Sequence, residues 1–512
     1  MSALARMHPL MPWLFSVVAI LAVGAKACVH DQLDHRVVMQ DQQYHPDHPF
    51  LVAERRRRLQ LTGESKINPQ NYLNDNVFAP IRITPIYDND SLSQLSDDKR
   101  DMINRIVPDA VQRFKQMLSV VPVQGNLFAK RSCYLQYQTT PVVCKTVMAQ
   151  EMCFEMPIPV EHFVPTRVCS TCLSVGCANS ACSVLPGDGV ANSDYVIYVR
   201  AVSTSTCNGQ VLAYASACQK DQFDRPTFGM VNFCPSLIDS SPIKYETQLA
   251  TAMHEMTHAL GFSAQFFAFM RNKDGTPRTP RGANGKPPTQ TSGKCANGNS
   301  ITYFANPDPG TVQFSWERDH VVARMVTPTV AQYVQDHFNC STLAGAEIEN
   351  QDSGCLGSHW EERVFEAEYM SPQSSFVNII SGLTLAFLED TGWYKTNATI
   401  TSRLHFGANK GCAFATNQCI DEVTQLPVAP DHYCTTNDFE SCTVDATARA
   451  SCQIATGMTI PSLYQYFSDT TRGVLHRGCD YTGIMPNRDG HDHPVAIPVL
   501  LRHNARRSQH LR

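Results

Sequence analysis

The sequence predicts an α+β protein of about three disulfide-braced units, and three observations support this fold class. Strand and helix patterns alternate along the chain, 20 cysteines are spread over it, and its 512 residues exceed one ordinary core. A hydrophobic content of 43% beside 17% charged residues is the balance of a globular protein. The net charge of −5 offers no broad basic field, so we expect no nucleic-acid partner.

Residues 1–27 have the layout of a secretory signal peptide. Arg6 precedes an apolar run from Leu10 to Val23, and Ala25-Lys26-Ala27 is a small-x-small cleavage signal. The run falls short of the about 20 apolar residues that a membrane span needs. We therefore expect a protein that is secreted or lies on the extracellular face of the cell surface, with no transmembrane span in the mature chain. In that oxidising compartment most cysteines should pair as disulfides.

Residues 28–72 have the polar, His-rich composition of a pro-segment. They contain Arg55-Arg56-Arg57-Arg58, which indicates either a processing site or a solvated charge run. At the other end of the chain, Val495 to Leu501 is shorter than the roughly 10–20 apolar residues of a lipid-anchor signal. We therefore expect no lipid anchor there.

From residue 73 onward the patterns are those of a folded chain. The stretch from Arg271 to Asn299 is rich in Gly, Pro, Lys and Thr and predicts an exposed loop. The cysteine-rich stretch from Leu404 predicts a small, disulfide-held C-terminal domain. Strands are predicted at 81–86, 194–201 and 229–233, and helices at 99–120, 243–260, 328–338 and 376–391.

Residues 254–258 read His-Glu-Met-Thr-His, a motif that carries chemistry when it lies on a helix. Positions i and i+4 share a helix face, so His254 and His258 can bind one zinc ion. Glu255 can then act as general base towards a water molecule that attacks a peptide carbonyl. Gly261 is a helix-terminating residue. The alternative is a pair of ordinary histidines on a buried helix, because such a motif also occurs by chance.

A catalytic zinc ion needs a third protein ligand and one open position. In the compact form of this motif the third histidine lies six residues after the second, but here that position is Ala264. The ligand is therefore either a downstream glutamate or a histidine brought in by a long insertion. From the residues alone, His320, His337 and His359 all stay open.

The chain resembles the leishmanolysins, the major surface metalloproteases of trypanosomatid parasites, over roughly residues 75 to 480. The segments that carry the resemblance are Asp194–Ala201 (DYVIYVRA), Leu212–Cys218 (LAYASAC), His254–Ser263 (HEMTHALGFS), Gly357–Trp360 (GSHW), Gly411–Cys419 (GCAFATNQC) and Tyr464–Ser468 (YQYFS). It implies a metzincin-type catalytic domain with a long insertion before the third zinc ligand, a central subdomain and a disulfide-rich C-terminal domain. The corresponding boundaries are 73–262, 263–403 and 404–512, the last domain being truncated.

The resemblance also implies roles for single residues. It places the third zinc ligand at His359 and a methionine in a tight turn under the metal at Met370, with Glu361 or Glu362 as the alternative ligand. It further implies a latency switch at Cys28, whose thiolate would fill the open zinc position in the precursor. An ordinary disulfide is the alternative for that cysteine.

The implied function is that of a zinc metalloendopeptidase with one Zn²⁺ per chain, acting on protein and peptide substrates. Family members also adhere to host cells and matrix, so host-cell or matrix proteins are further expected partners. The alternative is a catalytically weak or inactive leishmanolysin-like adhesion protein.

Two lesser sequence features concern cysteines and asparagines. Cys169, Cys172, Cys177 and Cys182 have the spacing of a zinc knuckle, but in a secreted chain the spacing favours disulfides. N-glycosylation sequons begin at Asn89, Asn339 and Asn397.

Overall fold

A computed structural model describes residues 37–61 and 77–418, together with scattered residues between 421 and 474. The interruptions are 140, 174–175, 208–210, 291–292, 295–299, 302–303, 319, 350–355 and 373–377. The predicted signal peptide, Cys28 and the C-terminal stretch tested for a lipid anchor lie outside the described residues. Among the helices that are described, none combines the length and the apolar composition that crossing a bilayer requires.

Mixed helices and strands confirm the α+β class, with a five-stranded sheet at the centre of the N-terminal half. Its strand order is Val38–Met39, Ala213–Lys220, Pro226–Phe233, Tyr195–Arg200, Ile83–Tyr87. Neighbouring strands run parallel in every pair but one. The exception is Ala213–Lys220, called here the antiparallel strand, which runs antiparallel to Pro226–Phe233. Both of these strands are buried along their whole length, as expected for a sheet covered on both faces.

A long helix, Asp97–Met117, packs its apolar stripe into the core beside this sheet. Two aspartates in its first turn favour the positive end of the helix dipole. The predicted end at Val120 is wrong, because Leu118–Val120 forms a strand instead. That strand pairs with Ala79–Pro80 on one side and Lys395–Thr396 on the other, so sheet hydrogen bonds replace the last helical turn.

The C-terminal half contributes a three-stranded antiparallel sheet and two packed helices. The strands are Val312–Glu317, His320–Met325 and Ala346–Ile348. The helix Pro328–Phe338 coincides with its predicted range. The second helix begins at Gly382, later than predicted, because the Ser381 side chain caps it by accepting from the Leu383 amide.

The predicted loop at 271–299 is a loop in its described first part, 271–288, but several of its side chains are buried and not exposed. Arg271 and Arg281 both reach Asp224, at 2.8 and 3.1 Å, and all three side chains are largely buried. Thr279 is also buried. Charged residues of this segment thus neutralise an interior carboxylate, which composition alone does not reveal.

Disulfides brace the described part of the chain, as the predicted export implies. The pairs Cys169–Cys182 and Cys172–Cys177 use the four cysteines spaced like a zinc knuckle, so they favour the disulfide alternative. They hold a small sheet of strands Cys133–Tyr137, Val143–Val147, Thr166–Cys169 and Cys182–Leu185. The other described pairs are Cys133–Cys144, Cys153–Cys218, Cys207–Cys234 and Cys340–Cys412.

The other α-helices range from four to 15 residues, and the other strands form two-stranded pairs. The helices are Pro49–Leu61, Asn89–Leu92, Tyr245–Ala259, Ala264–Phe267, Glu362–Phe365 and Gly411–Thr416. The two-stranded pairs are Asn126–Leu127 with Val190–Ala191, Met152–Cys153 with Met156–Pro157, Thr289–Gln290 with Phe304–Ala305, Gly293–Lys294 with Ser300–Ile301, Glu440–Cys442 with Arg449–Ser451, and Ile454–Thr456 with Arg472–Val474.

Candidate metal centre

The helix Tyr245–Ala259, called here the motif helix, carries the His-Glu-x-x-His motif against the central sheet. It follows a short 3-10 turn that begins at Pro242. It ends in a Schellman arrangement: Phe262 N donates to Thr257 O at 3.1 Å, and Gly261 N donates to His258 O at 3.0 Å. Gly261 has φ +122°, a conformation that favours glycine.

The structure brings His254, His258 and His359 together. Their ligand nitrogens all lie within 4.8 Å of one another. The three imidazoles are 7%, 0% and 1% exposed, so the cluster is interior. The sequence motif supplies two members, and the third arrives from a segment about a hundred positions later.

Each imidazole uses its Nδ1 atom to hold its orientation. His254 Nδ1 lies 2.5 Å from the carbonyl oxygen of Tyr369, and His258 Nδ1 lies 2.7 Å from that of Phe262. Carbonyl oxygens only accept, so both Nδ1 atoms carry the proton and both Nε2 atoms present lone pairs. Metal-binding histidines are held in this way in general.

The positions of the Nε2 atoms are explained by a shared cation and not by hydrogen bonds between the rings. His254 Nε2 and His258 Nε2 lie 3.1 Å apart. Because neither carries a proton, this is not a hydrogen bond. Two nitrogens bound to one zinc ion at 2.0–2.1 Å in tetrahedral geometry would be roughly 3.3 Å apart. Among the described residues, the buried Nε2 of His359 has no hydrogen-bond partner, so the donor set and its geometry suit a zinc ion.

The pKa of His254 supports the neutral, metal-binding form of its ring. Burial, with a further contribution from His359, lowers this pKa to about 3, although the Tyr369 carbonyl opposes the shift. A neutral imidazole is the form that binds a metal ion.

Glu255 follows His254 on the motif helix, and its side chain is completely buried. Ionised carboxylates are rarely buried without a function or a partner. The position therefore puts a buried carboxylate directly after the first histidine of the candidate metal centre.

Met370 lies fully buried in the turn that follows His359 in the chain. The Met370 carbonyl accepts from the amide of Trp360 at 3.0 Å, and its own amide donates to Glu368 Oε2 at 2.6 Å. Tyr369, one residue earlier, supplies the carbonyl that orients His254. This turn therefore contacts both the segment that carries His359 and the ring of His254.

Two carboxylates of the centre were missed in the sequence. Glu349 accepts from His359 Nδ1 at 2.8 Å. Glu368 is buried and also accepts from Ser381 and Thr384, at 3.1 and 2.7 Å; burial raises its pKa to about 7. The only signal for Glu349 was an acidic residue directly after a short strand, Ala346–Ile348, which is buried in the structure.

The other candidate ligands have different surroundings. His337 Nε2 lies 2.8 Å from the Phe406 carbonyl, and its ring stacks on Tyr333. Glu361 caps a short helix by accepting from the Arg363 amide at 3.1 Å. His320 begins the strand His320–Met325. Among the side chains that the structure describes, those of His337, Glu361 and Glu362 do not join the three-histidine group.

The three sequon asparagines are exposed. Asn89 begins a short helix, and Asn339 follows another in the left-handed conformation with φ +55°. Asn397 accepts from the amide of Thr399 at 3.1 Å. All three positions are accessible to a glycan.

Comparisons with known proteins agree with this geometry. A family model for leishmanolysin, peptidase M8, matches residues 165–278 and 296–488. The leishmanolysin-like peptidase of Drosophila melanogaster is 36% identical over 359 residues, covering 67% of this chain and 51% of that protein. The corresponding protein of Caenorhabditis elegans is 32% identical over 434 residues (79% and 64%). Leishmanolysin of Leishmania major is 26% identical over 401 residues (77% and 53%).

The chain spans about half the length of the fly relative. Its family match covers the motif helix and the segment of His359, the two parts that the structure brings together at the candidate metal centre. By sequence and by this arrangement, the chain belongs to the leishmanolysin family of metallopeptidases.

Proposed function

We propose that this protein is a zinc metalloendopeptidase, secreted or held at the cell surface, that hydrolyses peptide bonds in proteins. The observation that carries this proposal is the convergence of three buried imidazole Nε2 atoms beside the buried carboxylate of Glu255. The extracellular location rests on the predicted signal peptide and on the disulfides, which form in oxidising compartments.

His254, His258 and His359 would hold one zinc ion through their Nε2 atoms. When bound, the ion would polarise the substrate carbonyl and lower the pKa of water. The protein's part is to keep the three rings neutral and oriented before substrate arrives. Met370 would provide an apolar support under the imidazoles, and Gly261 would end the motif helix so that Phe262 can accept from His258.

Glu255 is the general base in this proposal. Its carboxylate takes a proton from water as the water oxygen adds to the carbonyl carbon of the scissile bond. The carbon–nitrogen bond then breaks, and Glu255 passes the proton to the leaving amine. A buried carboxylate suits this task because its interactions are stronger away from bulk water.

Cys28 would keep the precursor latent by placing its thiolate at the open ligand position. The exposed sequons at Asn89, Asn339 and Asn397 would carry N-glycans. Adhesion to host-cell or matrix proteins stays a secondary possibility for the family. The complete set of ligands and base favours catalysis over the inactive adhesion protein, since binding alone needs no general base.

The test compares two glutamates on the motif helix. Glu255→Gln should keep zinc near one ion per chain and lose casein cleavage by about a hundredfold or more, as expected for removal of a general base. Glu246→Gln is the matched control, because Glu246 is exposed on the same helix. Zymograms with and without a zinc chelator provide the readout. Wild-type cleavage by Glu255→Gln, or cleavage that survives zinc removal, would contradict the proposal.

A further inference from the structure

The described part of the N-terminal segment packs against the part of the molecule that holds the central sheet and the motif helix, called here the catalytic half. Residues 37–55, called here the docked segment, add the strand Val38–Met39 in parallel to the antiparallel strand, with Val38 opposite Gln219 and Met39 opposite Lys220. The amide of Gln40 continues this pairing by donating to the Lys220 carbonyl at 2.8 Å. The segment therefore covers what would otherwise be an open sheet edge.

Gln42 is hydrogen-bonded to the rest of the protein through both its side chain and its backbone. Its amide group donates to Phe128 O at 2.8 Å and accepts from Phe128 N at 3.2 Å. Its backbone makes a second reciprocal pair with the Gln222 side chain, at 2.8 and 2.9 Å. Gln42 is 6% exposed. A buried amide with its partners in place is specific, because losing one partner leaves a costly unsatisfied group.

Tyr44 completes a buried ionic group. Its hydroxyl donates to Asp221 Oδ2 at 2.6 Å and accepts from Arg225 Nη2 at 2.9 Å. Asp221 and Arg225 are 1% and 4% exposed. Burial strongly raises the pKa of the Tyr44 hydroxyl, which therefore stays protonated and able to donate. The catalytic half thus presents a charged pair that the tyrosine of the docked segment covers and bonds.

Aromatic packing supplies the apolar part of the contact. The rings of His48 and Phe50 lie 4.5 and 5.4 Å from the ring of Phe223, centroid to centroid. Burial, followed by Arg225, lowers the pKa of His48, so the ring packs as a neutral group. Phe50 also lies so close to Gly275 that a Cβ there would be 2.7 Å from its ring. The surface around Phe223 and Gly275 is therefore complementary in shape to the docked segment.

All of these contacts precede the predicted processing region. Arg55–Arg58 lies within the helix Pro49–Leu61, and the predicted end of the pro-segment at residue 72 lies further on. A cut beyond residue 55 therefore removes none of the backbone pairing, amide, hydroxyl or aromatic contacts described above.

We propose that cleavage beyond residue 55 does not release the N-terminal segment, which remains bound as a non-covalent part of the protein. Its docking surface is Phe128 together with Gln219–Arg225. This proposal concerns binding, so its test does not depend on the proposed peptidase activity.

The test uses the full chain carrying Glu255→Gln, with a recognition sequence for a specific protease inserted between residues 62 and 72. After the cut, size exclusion at micromolar concentration and mass analysis show whether the N-terminal fragment travels with the body. We expect co-elution. Gln42→Ala combined with Tyr44→Phe should weaken fragment binding about tenfold to a hundredfold, because four side-chain hydrogen bonds, two of them to charged groups, are lost.

Gln43→Ala is the matched control: it removes the same side chain one position later, where the residue is exposed, and should leave binding unchanged. Circular dichroism of the uncut variants verifies that each is folded. Separate elution of the wild-type fragment from a folded body would overturn the proposal. So would a double variant that binds as tightly as the wild type.

Discussion

Glu349 offers the sharpest test of how the metal centre is organised. Of the three histidines in the candidate metal centre, His359 is the one whose Nδ1 proton is held by a side chain, at 2.8 Å from Glu349 Oε2. The backbones of the two residues are joined separately, since Glu349 N donates to His359 O at 3.0 Å. Substituting the Glu349 side chain therefore removes the orienting acceptor and leaves the local chain path in place.

The expected magnitude follows from the burial of the imidazole. A hydrogen bond to a charged group contributes about 1.5–3 kcal/mol, and loss of such an outer partner weakens metal binding about 10–100-fold. His359 is 1% exposed, so Glu349→Ala leaves its Nδ1 proton buried without an acceptor. The loss of zinc affinity should therefore lie near the upper end of this range, at about a hundredfold. Glu349→Gln retains an amide oxygen but no charge, and should lie near tenfold.

Zinc affinity is measured by competition with a chelator, and casein cleavage is then measured at saturating zinc. We expect both Glu349 variants to need more zinc and to recover much of their activity once it is supplied. Glu246→Gln, an exposed substitution on the motif helix, controls for charge removal. If Glu349→Ala binds zinc as tightly as the wild type, the carboxylate does not orient a metal ligand and the reasoning fails.

Three further predictions concern ligand identity, helix geometry and pH. His359→Ala should lose zinc from the folded protein, and a full complement of zinc would point to another ligand. Gly261→Ala should destabilise the fold by about 1–3 kcal/mol in urea unfolding, because φ is +122° and the new Cβ would lie 2.9 Å from the Trp393 ring; an unchanged midpoint would contradict this. Burial opposes ionisation of Glu347, but three arginines outweigh it and lower its pKa to about 2. A depressed pKa stabilises the fold above the unfolded value of about 4.3 and loses that contribution as the pH falls towards 2. The free energy of unfolding should therefore fall more for the wild type than for Glu347→Gln between pH 5 and pH 3. Equal losses in the two proteins would contradict this prediction.

The local parts of the centre could be predicted from the sequence, because they follow from short-range geometry. The motif helix and its end at Gly261 depend on residues within one or two turns. The third ligand could not be chosen from spacing among His320, His337 and His359, and only the family resemblance selected one. In the structure, a bridge between Ile348 and Trp360 brings the segment of His359 into place, and pairing of that kind leaves no periodic signal.

Other expectations failed where tertiary contacts override composition. The polar segment beginning at Arg271 was expected to be exposed, yet it supplies cations to the buried Asp224. The helix expected to reach Val120 ends at Met117, because neighbouring strands offer sheet hydrogen bonds. Within the predicted pro-segment, Val38–Met39 pairs with the central sheet, a contact that the polar composition of this segment does not indicate. In each case the deciding partner lies far away in the chain.

The three imidazoles are oriented by acceptors of two kinds, backbone carbonyls and a carboxylate. This difference determines which mutations should weaken zinc binding. His254 and His258 are held by backbone carbonyls, which no side-chain substitution removes. Their orientation depends instead on the shape of two turns, one ended by Gly261 and one held by Glu368 through the Met370 amide. Substitutions at these two positions should therefore lower zinc affinity without touching a ligand, whereas His359 is vulnerable directly through its carboxylate partner.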